Sequence, residues 1–183
     1  MALVLDGSAN TIAGLAVGGL PDGSVDSDTL ASSVTTGKIL QVASGTTSTE
    51  VEVSSTSFTD TGLSATITPS SGTKVLIMTS QCFYLERDYR VCDIYWQLMR
   101  DSTAIDLPSN SEANNRSYAN GVSSIKIADR MAYTYLDTHG ADGSTAVTYK
   151  TQVRVDVTSD DHKCKFQKGD IVAAHMYLME VAA

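Results

Sequence analysis

From about Glu50 onward the chain alternates with a period of two. Val51 and Val53 alternate with Glu50, Glu52 and Ser54, and Leu63, Ala65 and Ile67 with Ser64, Thr66 and Thr68. Alternation of this kind is the signature of a strand that buries one face. Pro69-Ser70-Ser71-Gly72 marks a turn, with Gly available for positive φ. Residues 73–84 (TKVLIMTSQCFY) are a more continuous apolar run, which predicts a strand covered on both faces. The charged tip Glu86-Arg87-Asp88-Tyr89-Arg90 separates it from the run 91–99, and residues 124–135 predict another long strand or strand pair. In residues 146–157, Val147, Tyr149, Thr151, Val153, Val155 and Val157 share one face, with Lys150, Gln152, Arg154 and Asp156 on the other. A last strand is expected within residues 171–181. About eight strands separated by turn signals, with no helical period, predict an all-β fold: an antiparallel β-sandwich or jelly roll.

The first 48 residues follow a different rule. They are mostly Gly, Ala, Ser, Thr, Asp and Val, and the first aromatic residue of the chain is Phe58. The only basic residue before that point is Lys38. A segment without large side chains buries too little apolar surface to offset the entropy of ordering it. Its Ile, Leu and Val content nevertheless exceeds that of a solvated linker. The expectation is an extended N-terminal arm over residues 1–48 that orders against sister subunits or another protein, with a head domain over residues 49–183. Pro21-Asp22-Gly23-Ser24 is a turn signal, and Ser27 or Asp28 can cap one short helix over residues 29–33. Residues 38–42 read as a short strand leading into the body. With no basic start, and Asp6 and Gly7 interrupting the apolar residues early, a secretory leader is not expected.

Composition narrows the function classes. Charged residues make up 19% of the 183, and hydroxyls take their place, with 22 serines and 21 threonines. Thirteen Lys and Arg against 21 Asp and Glu give a net charge of −8, which disfavours nucleic acid as a partner, since phosphate backbones are bound by clustered cations. No apolar run approaches the roughly 20 residues of a membrane span, so insertion is not expected.

Chemistry has little to stand on. Cys82, Cys92 and Cys164 lack metal-ligand spacing, although Cys82 and Cys92 flank a charged tip where a symmetric hairpin would bring them opposite one another. His162-x-Cys164 beside Asp160 and Asp161 is too small a set to predict a metal. Nucleotide loops and a nucleophile elbow are absent from the sequence, and no two acids stand out as an acid–base pair. The expectation is a protein without catalytic residues, metal or cofactor. One connection is unusual: residues 108–122 (PSNSEANNRSYANGV) lack apolar periodicity and are long for a compact domain, as binding loops often are.

The string Phe58-Thr59-Asp60-Thr61-Gly62-Leu63-Ser64-Ala65-Thr66-Ile67-Thr68-Pro69, followed by Gly72-Thr73-Lys74-Val75-Leu76-Ile77-Met78, resembles a block of tail-fibre and virion structural proteins of tailed bacteriophages, marine and cyanobacterial ones especially. Tyr135-Leu136-Asp137, Thr145-Ala146-Val147-Thr148-Tyr149-Lys150 and the ending Leu178-Met179-Glu180-Val181 are similar to pieces of the same proteins, as are Met1-Ala2-Leu3-Val4-Leu5-Asp6-Gly7 and Gly19-Leu20-Pro21-Asp22-Gly23-Ser24-Val25. The shared pattern is one of strands and turns rather than a site. The resemblance implies a virion protein made in the bacterial host cytoplasm and placed on the tail or capsid surface. It implies a short homotrimeric tail fibre, attached to other virion proteins through its N-terminal arm and exposing a β-sandwich head for host adhesion. Three arms would then bury Ile12, Leu15, Val17 and Leu20 against one another or the anchor. Asn114, Asn115, Arg116 and Tyr118 would meet a host saccharide or envelope protein, combining hydrogen bonding, a cation and a stacking face. The alternative is a capsid decoration, cement or tail accessory protein that contacts only other virion proteins. A lectin-like or hydrolytic module is a third class.

Overall fold

The computed structural model of the chain describes residues 4–6, 11–13, 38–87, 94–106, 125–155, 163–170 and 172–182. The chain divides into two compact units, Met1–Thr36 and Gly37–Ala183. In the first, β1 (Val4–Asp6) pairs antiparallel with β2 (Thr11–Ala13), Leu5 opposite Ile12. Leu15, Val17, Leu20 and the expected helix over residues 29–33 lie outside the described residues.

The second unit is an antiparallel β-sandwich. Its strands are β3 (Ile39–Thr47), β4 (Val51–Val53), β5 (Thr59–Ile67), β6 (Lys74–Arg87), β7 (Ile94–Arg100), β8 (Thr103–Asp106), β9 (Ile125–Asp137), β10 (Val147–Val155), β11 (Lys163–Phe166) and β12 (Ala174–Val181). One sheet has the order β5-β10-β7-β8. The other is organised by β6: along one edge it pairs first β12 and then β11, which carry β3 and β4 outward, and along the other it pairs β9 from Val75 to Arg87.

Most of the predicted strands are present, and the alternation of β10 is the one read from the sequence: Val147, Tyr149, Thr151, Val153 and Val155 are all buried. Leu63, Ala65 and Ile67 of β5 meet them in the core, with Val75, Ile77, Phe83 and Leu85 from β6 and Met176 and Leu178 from β12. Each such side chain removed from water contributes about 1.5–3 kcal/mol of transfer free energy.

Of the long strand or strand pair expected within residues 124–135, the long strand is present: residues 125–137 form one strand, because β6 supplies a partner along the whole length. Two expectations change. The division between units falls at residues 36 and 37, ahead of the expected boundary at 48. The reason is that β3 is a full sheet member, paired with β12 from Ala174 to Val181 and packed on β5. Second, the run 73–84 is not covered on both faces. Its odd-numbered positions from Val75 to Phe83 are buried between the sheets, but Met78 on the other face is 41% exposed.

Candidate functional site

A buried polar layer crosses the middle of the sandwich. Thr61 on β5, Thr151 on β10 and Gln81 on β6 are all at most 1% exposed. The Thr61 and Thr151 hydroxyls lie 2.5 Å apart, and the Thr151 hydroxyl donates to Gln81 Oε1 at 3.1 Å. Since the three strands belong to opposite sheets, a slip of one sheet over the other would leave these groups unpaired in the core, at about 1–3 kcal/mol each. This layer holds register.

A second polar cluster closes one end. Arg100, the last residue of β7, places Nη1 at 3.0 Å from both carboxylate oxygens of Asp137 and at 3.3 Å from the carbonyl of Thr138. The Tyr149 hydroxyl donates to Asp137 Oδ2 at 2.8 Å. Burial, and then the carboxylate it bonds, push the Tyr149 phenol far above its ordinary value, so it remains a donor. Beside it, the Glu180 carboxylate receives Gln41 Nε2 at 2.5 Å, the Ser70 amide at 2.8 Å and the Thr73 hydroxyl at 2.9 Å. Burial by itself would raise this carboxyl, but the hydrogen bonds outweigh it and the group is held below its ordinary value. His139 Nδ1 accepts from the Ala141 amide at 2.9 Å, and its Nε2 lies 3.3 Å from the Thr73 hydroxyl. A depression of about 310 Å³ lies over this end, lined by Arg100, Asp101, His139, Asp142 and Thr145 among others. Asp142 faces it as a turn residue, its carboxyl held down to about 2 by the amide and hydroxyl of Ser144 and the amide of Thr145.

Sequence reasoning missed this cluster because its residues are dispersed from Gln41 to Glu180. Thr73, Asp137, Tyr149 and Glu180 are brought to one end of the sandwich by the register of β6 with β9 and β12 and by the packing of β10. Their polar groups hold strands together: Glu180 ties β3, the β5–β6 turn and β12, and Asp137 ties β9 to β7 and β10.

The outward faces of the two sheets differ. On the smaller sheet Asp60 accepts from Lys150 Nζ at 2.9 Å and Gln152 Nε2 at 2.6 Å, Gln97 donates to Gln152 at 2.6 Å, and Arg154 lies 3.8 Å above the Tyr95 ring. That face satisfies itself. On the larger sheet the register aligns Val42, Met179, Leu76 and Leu136 in one row across β3, β12, β6 and β9. The next row is Ser44, Tyr177, Met78 and Thr134, and the one after is Thr46, His175, Ser80 and Ala132. Val42 is 58% exposed and Leu136 50%. Farther along, a hollow of about 300 Å³ is lined by Cys82, Tyr84, Ala128, Asp129 and Lys168, with Lys168 Nζ 3.3 Å above the Tyr84 ring.

Cys82 is a half-buried free thiol on this face, and Cys92 lies outside the described residues, as do Asn114, Asn115, Arg116 and Tyr118. Cys164 is buried in the core, while His162, Asp160 and Asp161 are outside the described residues. Among the described residues no three His, Cys, Asp or Glu side chains are grouped as a metal site, and no helix is long and apolar enough to cross a membrane. Gln167, wholly buried at φ 50°, has a side-chain amide without a hydrogen-bond partner. Compared with models of known protein families and with curated proteins, the chain matches none.

Proposed function

We propose that this chain is a non-enzymatic structural protein of a tailed-phage virion: a short trimeric tail fibre, attached through its N-terminal arm, with the β-sandwich as a head for host adhesion. The observation that carries the reading is that residues from four of the resembling segments lie at one end of the sandwich. There Thr73 bonds Glu180 and Tyr149 bonds Asp137, each tying separate pieces of chain together. On this reading the common feature is architectural, a frame that keeps a head rigid. Division into an aromatic-free N-terminal unit and a sandwich supports the same reading, because an appendage needs one part to anchor and another to present. Recognition then falls to the segment 108–122, whose sequence is that of a binding loop.

Electron microscopy of purified particles labelled on this chain tests the reading. Label on the tail is the expected result. Label spread over the capsid shell would make the chain a decoration protein instead, and its absence from intact particles would remove the virion assignment.

A further inference from the structure

We infer that the outer edge of β3 pairs, antiparallel and about a two-fold axis, with the same edge of a second copy of this chain, so that the larger sheet runs unbroken through both. The inference goes beyond the trimeric reading and does not rest on it.

The first argument is the chemistry of the edge. β3 ends its sheet: one side bonds β12, and on the other its N–H and C=O groups meet no described strand. In a protein contact such a row is completed by another extended backbone, which makes an open edge a template for a strand. The side chains add to it. Ile39, Leu40 and Val42 are 53%, 43% and 58% exposed, three of the six large apolar side chains left exposed among the described residues.

The second argument is contrast. The other described edges carry the features by which sheets avoid one another. β4 has three residues with Glu52 in the middle, and β8 has four and ends in Asp106. β5 carries Asp60 and an irregularity in its register against β10. β9 is long but includes Lys126, Asp129, Arg130 and Asp137. By contrast β3 is nine residues, ILQVASGTT, without charge or proline, and it pairs β12 in regular register from Gln41 to Thr47. A chain that protects its other edges and leaves this one open uses it for pairing.

The third argument selects the occupant. The complement this edge needs is an uncharged strand with an unpaired side, and β3 is itself such a strand. The nearest charge, Lys38, precedes it. A parallel pair would set the two Lys38 side chains together, whereas an antiparallel pair separates them by the strand's length, about 30 Å at about 3.4 Å per residue. With all nine residues overlapping, the axis passes through Ala43. Val42 then faces Ser44 of the second copy and Gln41 faces its Gly45, a larger residue against a smaller one at each step. The contact uses the same patch on both copies, so it closes at two.

Light scattering on the full chain tests the inference with two variants. Val42→Lys/Ser44→Lys sets like charges opposite one another across the axis. Met78→Lys is the control, on the same outward face but two strands in from the edge. At micromolar concentration wild type and Met78→Lys are expected at twice 19.4 kDa, or at six times where the arms also form trimers. The edge variant is expected at half that mass with an unchanged circular dichroism spectrum. A dimeric wild type supports the edge and overturns the trimeric reading, and a trimeric one does the reverse. A monomeric wild type overturns both. An edge variant that keeps the wild-type mass overturns the inference, and so does dissociation of Met78→Lys, which would move the contact to the face. Should the edge variant fail to fold, hydrogen exchange of wild type decides. Between a concentrated sample and one diluted until its mass halves, β3 amides should lose protection, and unchanged β3 exchange would overturn the edge.

Discussion

At Gly45 the two sheets touch backbone to backbone. A Cβ there would lie 1.8 Å from the carbonyl oxygen of Ser64 and 2.7 Å from its carbon, atoms that cannot rotate away as a side chain can. The glycine is required by proximity rather than by an unusual φ, and it lets β3 cross β5 along one edge of the sandwich. Gly45→Ala is therefore expected to destabilise the sandwich by about 1–3 kcal/mol or more, by forcing β3 off β5. Urea unfolding measures this, and a variant as stable as wild type would show that the two strands separate freely. In the sequence Gly45 follows Ser44 within an ordinary hydroxyl-rich stretch, and no local pattern distinguishes it. Its constraint comes from a residue 19 positions later.

At the scale of the element, β12 carries a buried charge that joins it to its neighbours. Glu180 is 1% exposed and receives donors from β3 and from the β5–β6 turn, so its carboxylate joins three pieces of chain. Because its folded-state value is lowered, the group binds a proton less readily when folded than when unfolded. It therefore contributes stability that is fully present above the unfolded carboxyl value of about 4.3 and is lost as pH falls through the lower folded value. Glu180→Gln is expected to cost about 1–3 kcal/mol at neutral pH, since the amide presents a donor where Gln41 already donates. The gap to wild type should narrow at pH 3.5 in thermal melts. A gap that is the same at both pH values would assign the loss to shape rather than charge. The strand itself is legible from its apolar run, whereas Glu180 breaks that run without announcing that three donors await it.

At the scale of the whole molecule, the two-unit division makes a sharper claim than composition did. Residues 37–183 include β3, whereas residues 49–183 lack it and leave β12 and β5 without a neighbour they pack against. Removal of residues 1–36 is expected to leave a sandwich with an unchanged circular dichroism spectrum and cooperative melting. Removal of residues 1–48 should lower the melting temperature by at least about 3 °C, the shift that about 1 kcal/mol produces in a domain of this size. If both truncations melt alike, β3 is an ornament of the sheet and not a part of it. Composition placed the boundary after residue 48 because aromatics begin only at Phe58. β3 is in the core sheet without any, since Ala43 and Gly45 owe their places there to small size.

The all-β class, the turn at Ser70-Ser71-Gly72 and the burial of alternate residues in β5 and β10 followed from the sequence alone. Each is written in the period-two pattern of a few neighbouring residues, and local pattern is what a strand with one buried face imposes. Which strands are neighbours, and what meets across them, was decided by the tertiary structure. Arg100, Asp137 and Tyr149 are separated by 37 and 12 residues, and only the pairing of β7 with β10 and the packing of β9 bring them together. The openness of the outward face of β6 was likewise invisible. The pattern states that both faces of a strand are apolar, but whether this chain covers the second face depends on where all its other elements go.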